Sequence, residues 1–458
     1  MSTHQRGLVD TCLEEGQFES AVALLEQLRS PSHKPAISHI RQLIYIALQP
    51  EHPPSIHEIV IADVPSSPSK ATLKKRIPSG TAVLAARRLL NSFAITNSPE
   101  AIGAALPFYG DPRKDESVIR AGDDGSLESV IGPQSMCISR AKSCWSILAQ
   151  GYTQRGHTFS MSSDNGRKRS HNLNEDDTVN DFENTIVGGD AWSTLDWLIL
   201  LFEQDEMLAE SRASGRFSNL LLQQIPPPRS GTGSRWDTAI PLRIILFCME
   251  QTNIRRQMLG SRLMTLFINL SATPHLDLSM FVASLYSHLN AAGLEKLPAL
   301  LSNLYPSTST YRFKIMLCRK LLSDASHEQV RDGQTRVQAR ARALRATRTE
   351  ESINSHFGET SASSQAAKSL IPSCVEIMPS SSFMTMTQPV LLRVKFELIN
   401  SYGLLQSELT AEERDSDWMS LLRDGKANKL IETVFSFDNP DSHIFREVLQ
   451  STMLIWSS

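Results

Sequence analysis

No two cysteines in this chain are spaced as a zinc or dithiol motif, and no apolar run approaches the roughly 20 residues that cross a bilayer. The 6 cysteines, Cys12, Cys137, Cys144, Cys248, Cys318 and Cys374, are scattered along the chain. Cys248 and Cys318 sit inside apolar runs, where a free thiol packs as a small hydrophobe. We therefore expect a reducing compartment, with neither a disulfide framework nor a zinc site. The first residues, MSTHQRGLVDTCLEEG, lack the apolar core of a signal peptide, and early Asp10, Glu14 and Glu15 are unlike a mitochondrial leader. Neither secretion nor a membrane span is expected. The sequon Asn269-Leu270-Ser271 lies in an apolar helical pattern and is discounted as a glycan site. Charge of one sign is also missing. With 46 basic and 49 acidic residues the formal net charge is −3, so any surface for nucleic acid must be local.

Signatures of catalysis are equally scarce. Gly231-Thr232-Gly233 lacks the lysine and the helix that a phosphate loop requires. His57-Glu58 and His327-Glu328 each lack a second histidine one helical turn away. No Gly-x-Ser-x-Gly elbow occurs. The 12 histidines are dispersed, and His275, His288 and His443 read as structural residues in or beside helices. The acidic pairs Asp123-Asp124 and Asp176-Asp177 fall in loops, where solvated carboxylates keep ordinary pKa values and make poor general acids. No catalytic, cofactor-binding or metal-ligating residue is assigned, and no cofactor or small-molecule substrate is expected.

What the chain does have is helical periodicity. The densest apolar stretch is Asp190–Leu208, DAWSTLDWLILLFEQDEML. Trp192, Leu195, Ile199 and Phe202 recur at spacings of three and four, with Leu198 and Leu201 widening the stripe. Trp197 and Leu200 lie off that seam, which predicts a helix buried on several sides. Asp190, after Gly188-Gly189, is expected to cap it, and Glu203, Asp205 and Glu206 to end it in solvent. Helical patterns follow closely from Ile240 to Leu322 and resume over Pro389–Gln406 and His443–Trp456. Before the central stretch, Thr81–Phe93 reads as a helix with Arg87-Arg88 outward, and Ser135–Tyr152 as another. No period-two alternation with β-branched enrichment occurs. The predicted fold is all-α: an irregular antiparallel helical array, α-solenoid-like or a multi-helix bundle, with disordered insertions.

Near the start, Leu13-Glu14-Glu15-Gly16-Gln17-Phe18-Glu19-Ser20-Ala21 resembles one helical hairpin of tetratricopeptide or pentatricopeptide type. The resemblance covers about 40 residues and implies a glycine turn followed by an alanine that permits close helix packing. No second in-phase copy follows. The composition divides the chain into five regions: 1–152, helical, with a Pro-rich linker at 49–80; 153–184, a polar insertion; 185–350, a compact block; 351–388, a Ser-rich linker; and 389–458, a helical segment packing on the block.

Three basic features stand out. Lys74-Lys75-Arg76 and Arg167-Lys168-Arg169 lie in polar stretches and have the form of short nuclear-import clusters. Ser67, followed by Pro68 and close to the first cluster, matches a proline-directed phosphorylation site. The third is Arg331–Arg348, where Arg336, Arg340 and Arg348 tend to one side of a helix and Val337, Ala341 and Leu344 to another. Such a helix is suited to a phosphate backbone, and without interleaved aromatics it is not suited to base stacking. Taken together, we expect a non-enzymatic scaffold or adaptor whose partners are other subunits of an intracellular, nuclear assembly. Genome maintenance and transcription are the settings such a location suggests. The alternatives are nucleic-acid binding through Arg336, Arg340 and Arg348, and an enzyme whose site leaves no motif.

Overall fold

The computed structural model describes residues 2–51, 77–109, 135–155, 186–212, 215–227, 236–331, 387–436 and 440–456. Among these the chain is all-α, with no strand beyond an isolated bridge between Ser30 and His33. It divides into two compact units, Met1–Leu276 and Asp277–Ser458. The division falls beside the Thr273-Pro274 break, inside the 185–350 stretch that apolar density alone groups as one block.

The first unit opens with the hairpin. Ser2 caps α1 (Thr3–Glu14) through a reciprocal box: its hydroxyl accepts from the Gln5 N–H at 3.3 Å, and the Gln5 side chain accepts from the Ser2 N–H at 2.9 Å. Gly16, at φ 74°, turns the chain into α2 (Phe18–Gln27), a backbone conformation that costs glycine nothing. Ala21 is fully buried against this hairpin, as the resemblance implies. Then come α3 (Ile37–Ala47), α4 (Gly80–Thr96), α5 (Pro99–Gly103), α6 (Met136–Arg140) and α7 (Tyr152–Arg155). Ser79 caps α4, and Ser98 caps α5 with Pro99 in its first turn. The unit is completed by α8 (Trp192–Ser211), α9 (Asn219–Gln223), α10 (Ala239–Met249) and α11 (Ile254–Ser271). Helix α4 packs on α2, α3 and α8; α8 packs in turn on α5, α9 and α11.

Helix α8 is the buried helix its composition predicts. Leu195, Trp197, Leu198, Ile199, Leu201 and Phe202 are all out of contact with solvent. Three details differ from expectation. Asp190 is exposed in a preceding 3-10 turn, Gly189–Ala191, and does not cap α8; the cap position is Ala191. Nor do Asp205 and Glu206 end the helix in water, since both are buried and the helix continues to Ser211. Asp205 accepts from the Ser218 hydroxyl at 2.7 Å and the Leu220 N–H at 2.9 Å, which fixes the start of α9. Glu206 accepts from Arg216 Nε at 2.9 Å and Asn269 Nδ2 at 2.5 Å.

Residues 135–152 also differ, forming the short α6 and a 3-10 turn at Ser146–Leu148 and not one long helix. Gln224 explains the break. Its side-chain oxygen takes the Cys144 N–H at 2.8 Å and its carbonyl takes Trp145 Nε1 at 2.7 Å. A helical N–H is thereby diverted to a partner 80 residues away.

The second unit contains α12 (Leu278–Ala292), α13 (Leu297–Ser302), α14 (Thr308–Arg331), α15 (Gln388–Glu408), α16 (Ser416–Arg423), α17 (Lys426–Val434) and α18 (Pro440–Trp456). Asp277 caps α12, accepting from the Met280 N–H at 2.9 Å, and Gly293 at φ 97° stops it. Both α14 and α18 pack on α15. Along α15, buried Glu397 accepts from Lys314 Nζ at 3.0 Å and Arg393 at 2.6 Å. The final helix begins at Pro440, with Asp441 and Ser442 in its first turn. Its terminal Trp456 closes the core: it is fully buried, with its ring 5.9 Å from that of Trp418.

Candidate interaction surface

The residues assigned from sequence, Ser67, Lys74, Lys75, Arg76, Arg167, Lys168, Arg169, Arg336, Arg340 and Arg348, all lie outside the described residues. The site must be built from what the described helices present.

Several chemistry-bearing side chains inside the helices are tied into structural bonds or packed away from water. His39 is fully buried, with Nε2 2.7 Å from Asp10 Oδ1, and burial lowers its pKa against the pull of that carboxylate. Burial raises the Glu206 pKa, opposed by its bonds to Arg216 and Asn269. The Cys144 and Cys318 thiols are pushed up by burial, and Cys248 to about 12, so these sulfurs stay protonated and poorly nucleophilic. Asn269 of the sequon is buried in α11. Among the described residues no group of three or more His, Cys, Asp or Glu side chains is placed to hold a metal, and no helix is long and apolar enough to cross a membrane.

The outward face of α4 and α8 is different. The two helices run parallel: Arg87 of α4 reaches the Asp190 carbonyl before α8, while Arg212 after α8 pairs with Glu100 at the start of α5 at 2.9 Å. On α4, Leu84, Arg88, Asn91 and Ile95 follow at steps of four, three and four. On α8, Ser193, Asp196, Leu200, Glu203 and Met207 follow at steps of three, four, three and four. Each set lies along one side of its helix. Leu84, Arg88, Ile95, Asp196 and Met207 are exposed, with Ile95 70%, Met207 67%, Asp196 52% and Leu84 45%, and Asn91, Ser193, Leu200 and Glu203 are half-buried.

A cleft of about 470 Å³ indents one end of this face, lined by Glu51, Leu84, Arg87, Arg88, Asn91, Ser193 and Asp196. Its floor is the Arg87 guanidinium. Arg87 donates to the carbonyls of Ala47 at 2.9 Å, Gln49 at 3.4 Å and Asp190 at 3.0 Å, and pairs with Glu51. Every arm of its fork is used in holding α3, α4 and the entry to α8 together. On the α8 side, Arg262 of α11 binds Glu203 through two nitrogens at 2.8 and 2.7 Å and Asp196 at 2.6 Å. Its pKa is raised, chiefly by the Glu203 bond. One guanidinium therefore serves two carboxylates. Among the described residues the side chains of Arg88, Asn91 and Ser193 make no hydrogen bond or ion pair.

Arg87 corrects the expectation that Arg87-Arg88 both point outward: only Arg88 does. A signal was present in the sequence. Arg87 follows Val83 by four and precedes Leu90 by three, so it shares the core side of α4.

No family model, curated protein or solved structure matches this chain.

Proposed function

We propose that this protein is a non-enzymatic helical scaffold, an interaction subunit of a nuclear multiprotein assembly. The observation that carries the reading is the α4/α8 face. It holds exposed Leu84, Ile95 and Met207 in register with polar groups that have no partner among the described residues, while buried His39, Asp205 and Glu206 are tied into hydrogen bonds. Apolar side chains aligned beside unpaired polar ones are the mark of a surface built to be covered.

Isolation of the full chain from its own cells under gentle and 0.5 M salt conditions tests this. A fixed set of proteins at constant stoichiometry is expected, and a chain that elutes alone in both conditions would end the proposal. The nuclear element rests on Lys74-Lys75-Arg76 and Arg167-Lys168-Arg169. Replacing both clusters by alanine is expected to leave a fluorescent fusion in the cytoplasm. Phosphate at Ser67 would offset the first cluster, so Ser67→Ala is expected to change import or modification. Genome maintenance and transcription are the assemblies to examine first.

A second reading has one observation behind it: α14 continues as helix to Arg331, the first arginine of the 331–348 series. In that reading, DNA or RNA binds with steep salt dependence and is lost when Arg336, Arg340 and Arg348 become Glu. Absence of binding at low salt would exclude it.

A further inference from the structure

We infer that the α4/α8 face receives a single amphipathic helix of a partner protein, one that sets an acidic side chain in the cleft beside Arg88 and a basic one along Asp196 and Glu203. The inference rests on the scaffold reading and specifies its partner.

The spacing argues for a helix. Two parallel neighbours show outward side chains at alternating steps of three and four, which is the repeat a third helix needs to lay its own side chains between theirs. An extended peptide gains affinity from a sheet edge, and the described residues contain none. Leu84 and Ile95 on one wall and Leu200 and Met207 on the other provide the apolar contacts. Asn91 lies between Leu84 and Ile95 on its wall, half-buried and with no side-chain hydrogen bond among the described residues. A polar residue within an apolar seam fixes register at some cost in affinity.

Charge supplies direction. Arg88 on the α4 wall has no ion pair among the described residues, whereas Asp196 and Glu203 on the α8 wall share the single guanidinium of Arg262. An acidic side chain entering the cleft meets unpaired donors from Arg88, Asn91 and Ser193. The Arg87–Glu51 pair that also lines the cleft is internally neutral, and Asp196 on the opposite wall is drawn toward Arg262, so the positive charge on the α4 wall is that of Arg88. A basic side chain further along meets a pair of carboxylates that is only half neutralised. Complementary charge of this kind selects orientation and excludes partners of the opposite pattern.

The experiment uses the full chain in its own cells, with a photo-crosslinking amino acid placed singly at Asn91, at Leu200, or at exposed Tyr305 of the other unit. Adducts are expected at 91 and 200, mapping to one helix-forming segment with apolar residues at steps of three and four and an acid opposite Arg88. Arg88→Glu is expected to cut the adduct at Leu200 about tenfold at an unchanged melting temperature, and reversing the partner's acid to Arg to restore it. Adducts at 305 with none at 91 or 200 would overturn this site and leave the scaffold reading standing. No protein adduct at any position, with a monomeric chain in extract, would remove both. A nuclease-sensitive adduct at 91 would replace the helix by nucleic acid.

Discussion

Gly403 and Trp456 are in contact so close that a methyl group on the 403 α-carbon would overlap Cδ2 and Cε2 of the indole. The last described residue of α18 thus sits against bare backbone in the middle of α15. Gly403→Ala sets a helix-propensity gain of about 1 kcal/mol against overpacking of about 1–3 kcal/mol. We expect a net loss of stability, read as a lower melting temperature of the Asp277–Ser458 unit in the full chain. A rise would mean that the indole can shift without penalty. Trp456→Ala should cost more, about 3–5 kcal/mol for a fully buried large aromatic.

Arg87 provides a second prediction. Arg87→Lys keeps the charge but has one nitrogen where the fork reaches three carbonyls and Glu51. Unmet buried carbonyls cost about 1–3 kcal/mol each. The variant is expected to lose several kcal/mol in chemical denaturation, while Arg88→Lys, one residue away and exposed, stays within about 0.5 kcal/mol of the parent. Equal effects at the two positions would contradict the assignment of Arg87 as the tie.

Acid should loosen the first unit through His39. Its folded pKa lies below the ordinary value near 6.5 because burial disfavours the charged ring, with the Asp10 bond opposing. Between the folded and unfolded values the unfolded chain holds the extra proton. Stability is therefore full above about pH 6.5 and falls as pH drops through that value toward the folded pKa. Denaturant titrations at stepped pH check this, with His39→Gln expected to flatten that part of the profile. An unaltered profile in the variant would assign the loss to other groups.

Thiol labelling separates the cysteines. Cys144, Cys248 and Cys318 are buried with raised pKa values, whereas Cys12 and Cys137 are partly exposed. Brief alkylation of the native chain is expected to mark Cys12 and Cys137 and spare Cys144, Cys248 and Cys318 until denaturant is added. Fast native labelling of Cys248 would show that the α10 and α11 pair opens readily.

Periodicity told much of this fold and little of its surface. The burial of α8 could be read from Leu195, Trp197, Leu198 and Ile199, because apolar side chains around a whole helix have only one stable placement. The glycine turn at 16 and the Ser98-Pro99 start were equally local signals. What escaped had partners far along the chain. Asp205 and Glu206 look like solvated acids until Ser218, Arg216 and Asn269 are seen beside them. The break at residues 141–145 depends on Gln224, and the inward turn of Arg87 on carbonyls at 47, 49 and 190. The steps of the α4/α8 face were also in the sequence, but nothing there set side by side two helices so far apart along the chain.

That separation bears on how the chain reaches its native state. The bond from Arg87 to the Asp190 carbonyl closes a loop of 103 residues. Contact order makes such closure slower than forming the local α1–α2 hairpin, which predicts that α8 docks on α4 after the hairpin forms. Its entropic cost grows only with the logarithm of loop length, about 0.6 kcal/mol for each doubling. Closure entropy alone therefore puts little limit on the length of chain that joins the two helices.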